Sequence, residues 1–385
     1  MAGRLRTLGL RQSPAVPPVL MPPGDFHPPV PRRPALSLKG RRSPRLYGLG
    51  LALGLPGIAA LILYMIGVRA GFELETGPLA PWLIVETVSI AAAVGMIGSA
   101  VAQARQRRVD GWQDYNGPSP LLTLGALLAL VTALELPLEV VLKSMSVDLE
   151  SASATLAVVL VYLGAYVSLV HFLSVRTGAM TWHDVVSPAR LAPSSDDWTG
   201  PGPAPGWRPN WAGAIGSWRS QVSGSRMGNV LVPLAMVLHL LIVSYMASAL
   251  LMVGLGLHAS DISPEIPTPL GNVDRLLTIV AVAIVAPIGE EIFFRGYVTN
   301  AWARSVSRNS AILRASLLFA LVHVANVTTT VGSVSWRVAL FDFGARIPVA
   351  IALTWLYMRR RSIIASATLH AGYNGAITLI AFLAS

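Results

Sequence analysis

Cysteine is missing from this 385-residue chain, which excludes disulfides, thiolate nucleophiles and thiolate-held metals. Charge is scarce too. Asp, Glu, Lys and Arg make up 12% of the residues, against about 25% in a typical soluble chain. Lysine occurs only as Lys39 and Lys143, so the net charge of +10 is almost entirely arginine. The chain also lacks a Walker, Rossmann or zinc-finger pattern and any repeat of solenoid period, and residues 1–46 hold no apolar core long enough for a signal peptide. What is present in quantity is apolar sequence. The mean hydropathy is +0.59, which overrides the two or three soluble domains that length alone suggests and predicts an integral membrane protein.

Residues 1–46, with many prolines and nine Lys or Arg, read as a disordered, basic, Pro-rich cytoplasmic tail. Apolar stretches of the ~20 residues needed to cross ~30 Å of hydrocarbon follow. They lie near 47–68, 81–103, 120–143, 153–175, 229–257, 274–298, 311–328, 337–358 and 362–383. The expected fold is therefore all-α, a polytopic transmembrane helical bundle of about nine spans, or eight if the short seventh stretch is not one. A four-span region at 47–176 is set apart by a Pro-, Gly- and Trp-rich cytoplasmic linker at 177–228 from a five-span region at 229–385.

Alternate loops carry the arginines: Arg105, Arg107 and Arg108; Arg176, Arg190, Arg208, Arg219 and Arg226; Arg304 and Arg308; Arg359, Arg360 and Arg361. The loops between them carry Glu73 and Glu75, Asp148 and Glu150, or Asp261 and Glu265. This alternation follows the positive-inside rule and predicts a cytoplasmic N-terminus. It accounts for the basic charge through the lipid bilayer, so no nucleic-acid partner is expected.

The chemistry concentrates in Glu290-Glu291-Ile292-Phe293-Phe294-Arg295-Gly296, at the end of an apolar run. A charge near the bilayer centre costs roughly 2.5–3.5 kcal/mol on insertion scales, and such cost is tolerated where the groups face a polar cavity. Glu291 and Arg295 stand at i,i+4 with the acid first, the favourable order for an intrahelical ion pair. Adjacent helical residues point ~100° apart, which leaves Glu290 as the unneutralised carboxyl and the candidate general base. Pro287 removes a backbone donor just upstream, and a kink there opens room for water. The bland alternative is that both acids snorkel at the interface.

Two further segments add partners. His323 follows Phe319 by four residues, on the same helix face, and Asn374 follows His370 by four. Each alone is explicable as packing or interhelical hydrogen bonding, worth ~0.6 kcal/mol. Together they bring a base-type carboxylate, two imidazoles and an amide from three helices, a set suited to peptide hydrolysis. In that scheme Glu290 and His323 activate water, and His370 and Asn374 stabilise the oxyanion. Glu290, His323 and His370 also form a zinc set by residue type, although the compact HExxH arrangement is absent. Asp342 and Arg346, at i,i+4 in the eighth stretch, read as an internal ion pair.

The ordered pattern Glu-Glu-x-x-x-Arg, Phe-x-x-x-His and His-x-x-x-Asn resembles the CPBP family of intramembrane proteases, also called the CAAX protease and bacteriocin-processing, or Abi, family. Phe341-Asp342-Phe343-Gly344 looks like its weaker Phe-x-x-Gly motif. The resemblance covers roughly residues 229–385. It implies a membrane endopeptidase, which in eukaryotic relatives removes the last three residues after a prenylated cysteine. Glu290 corresponds to the catalytic glutamate, His323 to its water-holding partner, His370 and Asn374 to the oxyanion pair, and Glu291 and Arg295 to the supporting motif. It implies either a divalent metal such as zinc on Glu290, His323 and His370 or a metal-free glutamate mechanism. The charges at Asp342 and Arg346 depart from the more apolar pattern of relatives and bear on the substrate.

The expected partner is a membrane-associated peptide or protein substrate, and the Arg-, Ala- and Gly-rich composition points to a bacterial inner (plasma) membrane. A non-catalytic immunity or scaffold protein and a proton-coupled transporter are the competing classes. The intact catalytic set argues against the first, and the absence of an inverted repeat argues against the second.

Overall fold

A computed structural model of the chain describes residues 44–69, 80–110, 115–187, 227–262, 271–324 and 336–384. These residues all lie in one compact unit. They form ten helices and, among the described residues, no strand: α1 (Pro44–Arg69), α2 (Ala80–Val109), α3 (Pro120–Ser144), α4 (Ala152–Val175), α5 (Trp182–Val186), α6 (Gly228–Leu255), α7 (Asn272–Ala303), α8 (Arg308–Val324), α9 (Trp336–Arg360) and α10 (Ile363–Ala384). An all-helical bundle is what lipid demands, because only a helix or a closed barrel satisfies every backbone group internally.

Eight of these helices are long and apolar enough to span a membrane. The seventh expected stretch is described as α8 only through Val324, 17 residues or about 25 Å at 1.5 Å per residue, and residues 325–328 of it lie outside the described residues. Among the described residues there are eight candidate spans, the lower of the two expected counts. The N-terminal tail up to residue 43 and residues 188–226 of the expected linker, with Trp198, Trp207, Trp211 and Trp218, lie outside the described residues. So do Glu73, Glu75 and Glu265.

Local sequence sets the helix ends. Pro120 opens α3 at a position where its missing N–H is no loss, and the N–H of Ser119 before it donates to Gln103 Oε1 at 2.5 Å. The Ser151 hydroxyl caps α4 by accepting from the Ala154 N–H. Gly256 ends α6 in the left-handed region at φ 62°, where a Cβ would be strained. Small residues set the α1–α2 contact. A Cβ placed on Gly95 would stand 2.5 Å from the Gly54 nitrogen and 2.7 Å from the Gly50 carbonyl, so the two backbones touch through a small-xxx-small seam.

The largest core cluster crosses the boundary expected between the two halves. It joins Met96, Leu122, Leu169 and Leu173 from α2–α4 to Phe293, Phe294, Tyr297, Phe319 and Tyr357 from α7–α9. Helix α7 is its axis: between Glu291 and Thr299 every residue except Ile292 is buried. The buried Tyr297 hydroxyl donates to the Pro118 carbonyl at 3.1 Å and shares a 2.7 Å hydrogen bond with Thr123. Those two bonds tie α7 to the start of α3. Outside this core, Glu135 accepts from the Tyr162 hydroxyl at 3.0 Å, while the exposed Lys143–Glu139 contact at 3.7 Å contributes little.

Gly95→Leu is expected to lower thermal stability in detergent by about 1–3 kcal/mol, the usual penalty of overpacking. Gly164→Leu, which enters open space, is expected to stay within about 0.5 kcal/mol of wild type. Thermal melts of the two purified variants check the contrast.

Candidate active site

Helix α7 widens into a π-helix twice where it carries the site. It runs as an α-helix over Asn272–Ile279, as a π-helix over Val280–Val285, as an α-turn over Ala286–Glu290 and as a π-helix again over Glu291–Thr299. Pro287 explains a consequence of the first wide turn. The Ala286 N–H bonds the Ala281 carbonyl, and Pro287 has no N–H to give, so the Val282 carbonyl loses both of its intrahelical donors. The Asn374 amide of α10 donates to that carbonyl at 3.0 Å. Asn374 therefore docks α10 on the proline-disturbed turn, with one of its two amide hydrogens engaged there.

Glu291 and Arg295 form the ion pair expected at i,i+4, with Arg295 Nη1 3.0 Å from Glu291 Oε1. Both are wholly buried. The contact is a close approach of charges rather than an aligned hydrogen bond, since Nη1 has no geometrically good acceptor. Two neighbours complete it. The guanidinium lies 4.2 Å from the centroid of the Phe319 ring, a cation–π contact strengthened by the absence of water. The same Glu291 oxygen accepts from His370 Nδ1 at 2.9 Å.

That last bond was not legible in the sequence. It makes His370 a bridge between the adjacent glutamates: Nδ1 meets Glu291, and Nε2 stands 3.7 Å from Glu290 Oε2. His323 comes to the same oxygen from α8, with Nε2 3.8 Å from Glu290 Oε2. Its Nδ1 lies 2.8 Å from the Phe319 carbonyl. A carbonyl only accepts, so Nδ1 carries a proton, and in the neutral ring it is Nε2 that has the lone pair on the Glu290 side. Glu290 Oε2 itself is buried and has no hydrogen-bond partner. Two imidazole nitrogens and a carboxylate oxygen thus surround one point at distances too long for direct hydrogen bonds and suited to a bridging water.

The structure brings Glu290, Glu291, Arg295, His323 and His370 together. It directs Asn374 to a backbone carbonyl, where the i,i+4 spacing had suggested that His370 and Asn374 address a common point. Among the described residues no group of three or more His, Cys, Asp or Glu side chains is arranged to hold a metal ion.

An aromatic shell closes the site. Phe319 packs against Phe294 at 5.1 Å, His323 at 4.5 Å and His370 at 5.8 Å between ring centroids, and Tyr166 of α4 lies 5.5 Å from Phe293. Gly289 and Gly296 permit the closeness. A Cβ on Gly289 would stand 2.8 Å from a ring carbon of Tyr166, and one on Gly296 would stand 2.4 Å from a methyl of Val185.

Val185 belongs to α5, which falls inside the stretch expected to be linker. Thr181 and Asp184 form a reciprocal capping box. Asp184 pairs with Arg304 at 3.0 Å, the Tyr357 hydroxyl donates to the Val185 carbonyl at 3.1 Å, and the Ser187 hydroxyl donates to the Arg361 carbonyl at 2.9 Å. Threonine three residues before aspartate was the available sequence signal for this helix. Burial pushes the Asp184 carboxyl upwards, but its hydrogen bonds from the Thr181 N–H and hydroxyl and the Arg304 charge outweigh that and hold it below the usual range.

Arg295→Met is expected to destabilise the protein by about 3–5 kcal/mol, because it strands the Glu291 charge. The double variant Glu291→Gln, Arg295→Met should regain part of that loss in the same melt. A depressed Asp184 contributes stability that is present above its unfolded value, about 3.9, and lost as pH falls through the folded one. Asp184→Asn should therefore flatten the decline in melting temperature below about pH 4.

Comparison with known proteins places this geometry. Residues 272–376 match the family described as type II CAAX prenyl endopeptidase Rce1-like, a stretch that contains every residue of the site. The chain is also 29% identical over 105 residues to UPF0177 protein YxdF of Lactococcus lactis subsp. lactis (strain IL1403), a match covering 27% of this chain and 50% of that relative. The chain thus spans half the length of that curated relative. No solved structure matches the chain. Over residues 272–376 the chain is similar to the Rce1-like family, in line with the CPBP resemblance carried by its glutamate, histidine and asparagine motifs.

Proposed function

We propose that this protein is a CAAX-protease-like membrane endopeptidase that hydrolyses a peptide bond in a membrane-associated substrate. One observation supports this above the rest: the buried, unpartnered Glu290 Oε2 faced by the Nε2 atoms of His323 and His370. A water held there gives one hydrogen to Glu290 and the other to the His323 lone pair. Its oxygen is then directed at a scissile carbonyl.

Glu290 takes the proton as the C–O bond forms. The negative charge that develops on the carbonyl oxygen is met by the His370 Nε2–H, in the ring form carrying both protons, and by the Asn374 amide hydrogen not engaged with Val282. Collapse of the tetrahedral species breaks the C–N bond, and Glu290 returns its proton to the leaving amine. The Glu291–Arg295 pair does not touch substrate in this scheme. It fixes the His370 ring by holding its Nδ1–H, the role a carboxylate plays behind an imidazole in hydrolytic triads.

The positive-inside pattern supports an N-terminus on the cytoplasmic side of a bacterial inner membrane. The Rce1-like match supports a substrate tethered to that membrane and cleaved at bilayer depth. Glu290 is 13 residues before the end of α7 at Ala303.

In proteoliposomes presenting acylated peptides, Glu290→Gln is expected to lower cleavage by about 10²–10⁴-fold with the melting temperature retained. Cleavage by the variant at the wild-type rate would overturn the assignment of the base.

A further inference from the structure

Tyr162 and Tyr166 stand at i,i+4 on α4 and share a face. Their side chains are the same, but their hydroxyls meet different surroundings. The Tyr162 hydroxyl donates to Glu135 Oε2 of α3 at 3.0 Å. The Tyr166 hydroxyl has no hydrogen-bond partner among the described residues. Val175, the nearer end of the span, is nine residues away, so bulk water is not at hand to replace the missing partner.

Packing accounts for the Tyr166 ring but not for its hydroxyl. The ring is partly buried against the main core, with its centroid 5.5 Å from that of Phe293 and 6.5 Å from that of Phe294. Its Cδ2 occupies the space that a Cβ on Gly289 would need, 2.8 Å from that position. A phenylalanine would make each of these contacts. A phenol in apolar surroundings usually finds a partner for its O–H, and one left without a partner lowers stability.

The position of the hydroxyl says what could serve as that partner. Gly289 directly precedes Glu290, so Tyr166 brings α4 up to the glutamate, while α8 and α10 bring His323 and His370. The hydroxyl is within electrostatic reach of the Glu290 carboxylate and makes no direct hydrogen bond to it. A donor held near the reacting group without bonding to it is free for a third group. A peptide drawn into the site takes its backbone N–H and C=O groups out of water, and each then needs a partner inside the bundle. In the hydrolytic scheme the scissile carbonyl has His370 and Asn374. The carbonyl of the adjoining peptide unit still lacks a donor, and a phenol O–H donates to a carbonyl oxygen.

We propose that Tyr166 is a substrate-binding residue of this site, its hydroxyl donating a hydrogen bond to the backbone carbonyl of the peptide unit next to the scissile bond. The proposal rests on the hydrolytic reading of Glu290 and deepens it. Tyr166 lies outside residues 272–376, so α4 contributes to the site from a part of the chain that the family match does not cover.

Binding is measured on the Glu290→Gln protein in nanodiscs, so that peptides stay intact. A pool of N-palmitoylated randomised pentapeptide amides is passed over it, and the most strongly retained peptide is sequenced. That peptide is then remade with one peptide unit at a time replaced by a trans-alkene of the same shape. Tyr166→Phe on the same background is expected to weaken binding of the parent peptide about five- to tenfold, the effect of losing one hydrogen bond. The melting temperature should not fall, because the hydroxyl makes no bond within the protein. One alkene peptide should lose affinity for the Tyr166 protein by a similar factor, with no further loss on Tyr166→Phe, the sign of a direct pair.

An unchanged affinity of Tyr166→Phe for the parent peptide overturns the proposal. So does a loss on Tyr166→Phe that is the same for every alkene peptide, which marks a general disturbance, and so does a pool retained no better than by empty nanodiscs. Failure of the hydrolytic reading shows elsewhere, as wild-type cleavage that survives Glu290→Gln.

Discussion

A charge inside a lipid-spanning helix must find its compensation inside the bundle, and in this protein Glu291 and Arg295 impose that requirement. Both are wholly buried, so neither can reach water by bending its side chain outward. Arg295 answers Glu291 at 3.0 Å, Phe319 covers the guanidinium at 4.2 Å, and His370 donates to Glu291 at 2.9 Å. Each partner comes from a different helix. Satisfying one ion pair therefore fixes how α7, α8 and α10 meet, and the rest of the site inherits that geometry. Glu290 is left with an unpartnered oxygen because its neighbour has taken the cation.

The helices before residue 272 share in this arrangement. Tyr297 ties α7 to the start of α3, Tyr166 lies against Phe293, and Val185 sits on Gly296. The last of these depends on a five-residue helix held by its own capping box and by bonds to Tyr357, Arg361 and Arg304. The absence of a Cβ at Gly289 and Gly296 lets α4 and α5 close against the glutamate-bearing segment from two sides. A larger residue at either position would separate that segment from its supports.

Irregular winding links this packing to chemistry. The π-turn before Pro287 releases the Val282 carbonyl, and Asn374 is the residue that accounts for it. Wide turns of this kind often occur at functional sites. Here one serves as a docking point for α10, the helix that also carries His370. Sequence irregularity at Pro287 thus helps orient an imidazole 83 residues later in the chain.

The sequence by itself determined the helical class, the near-complete placement of the apolar spans and the Glu291–Arg295 pair. Each of these rests on local periodicity or on residues four apart, which a helix brings together whatever surrounds it. It also named the residues of the candidate site through three short motifs. Only the tertiary structure decided that His370 bridges Glu290 and Glu291, because a bond between residues 79 apart depends on how α10 docks. Asn374 turned towards Val282 for a related reason: a carbonyl becomes an orphan only once the helix has adopted its π-turn. The closeness of α5 to Gly296 is likewise a product of interhelical register, which periodicity within one helix does not encode.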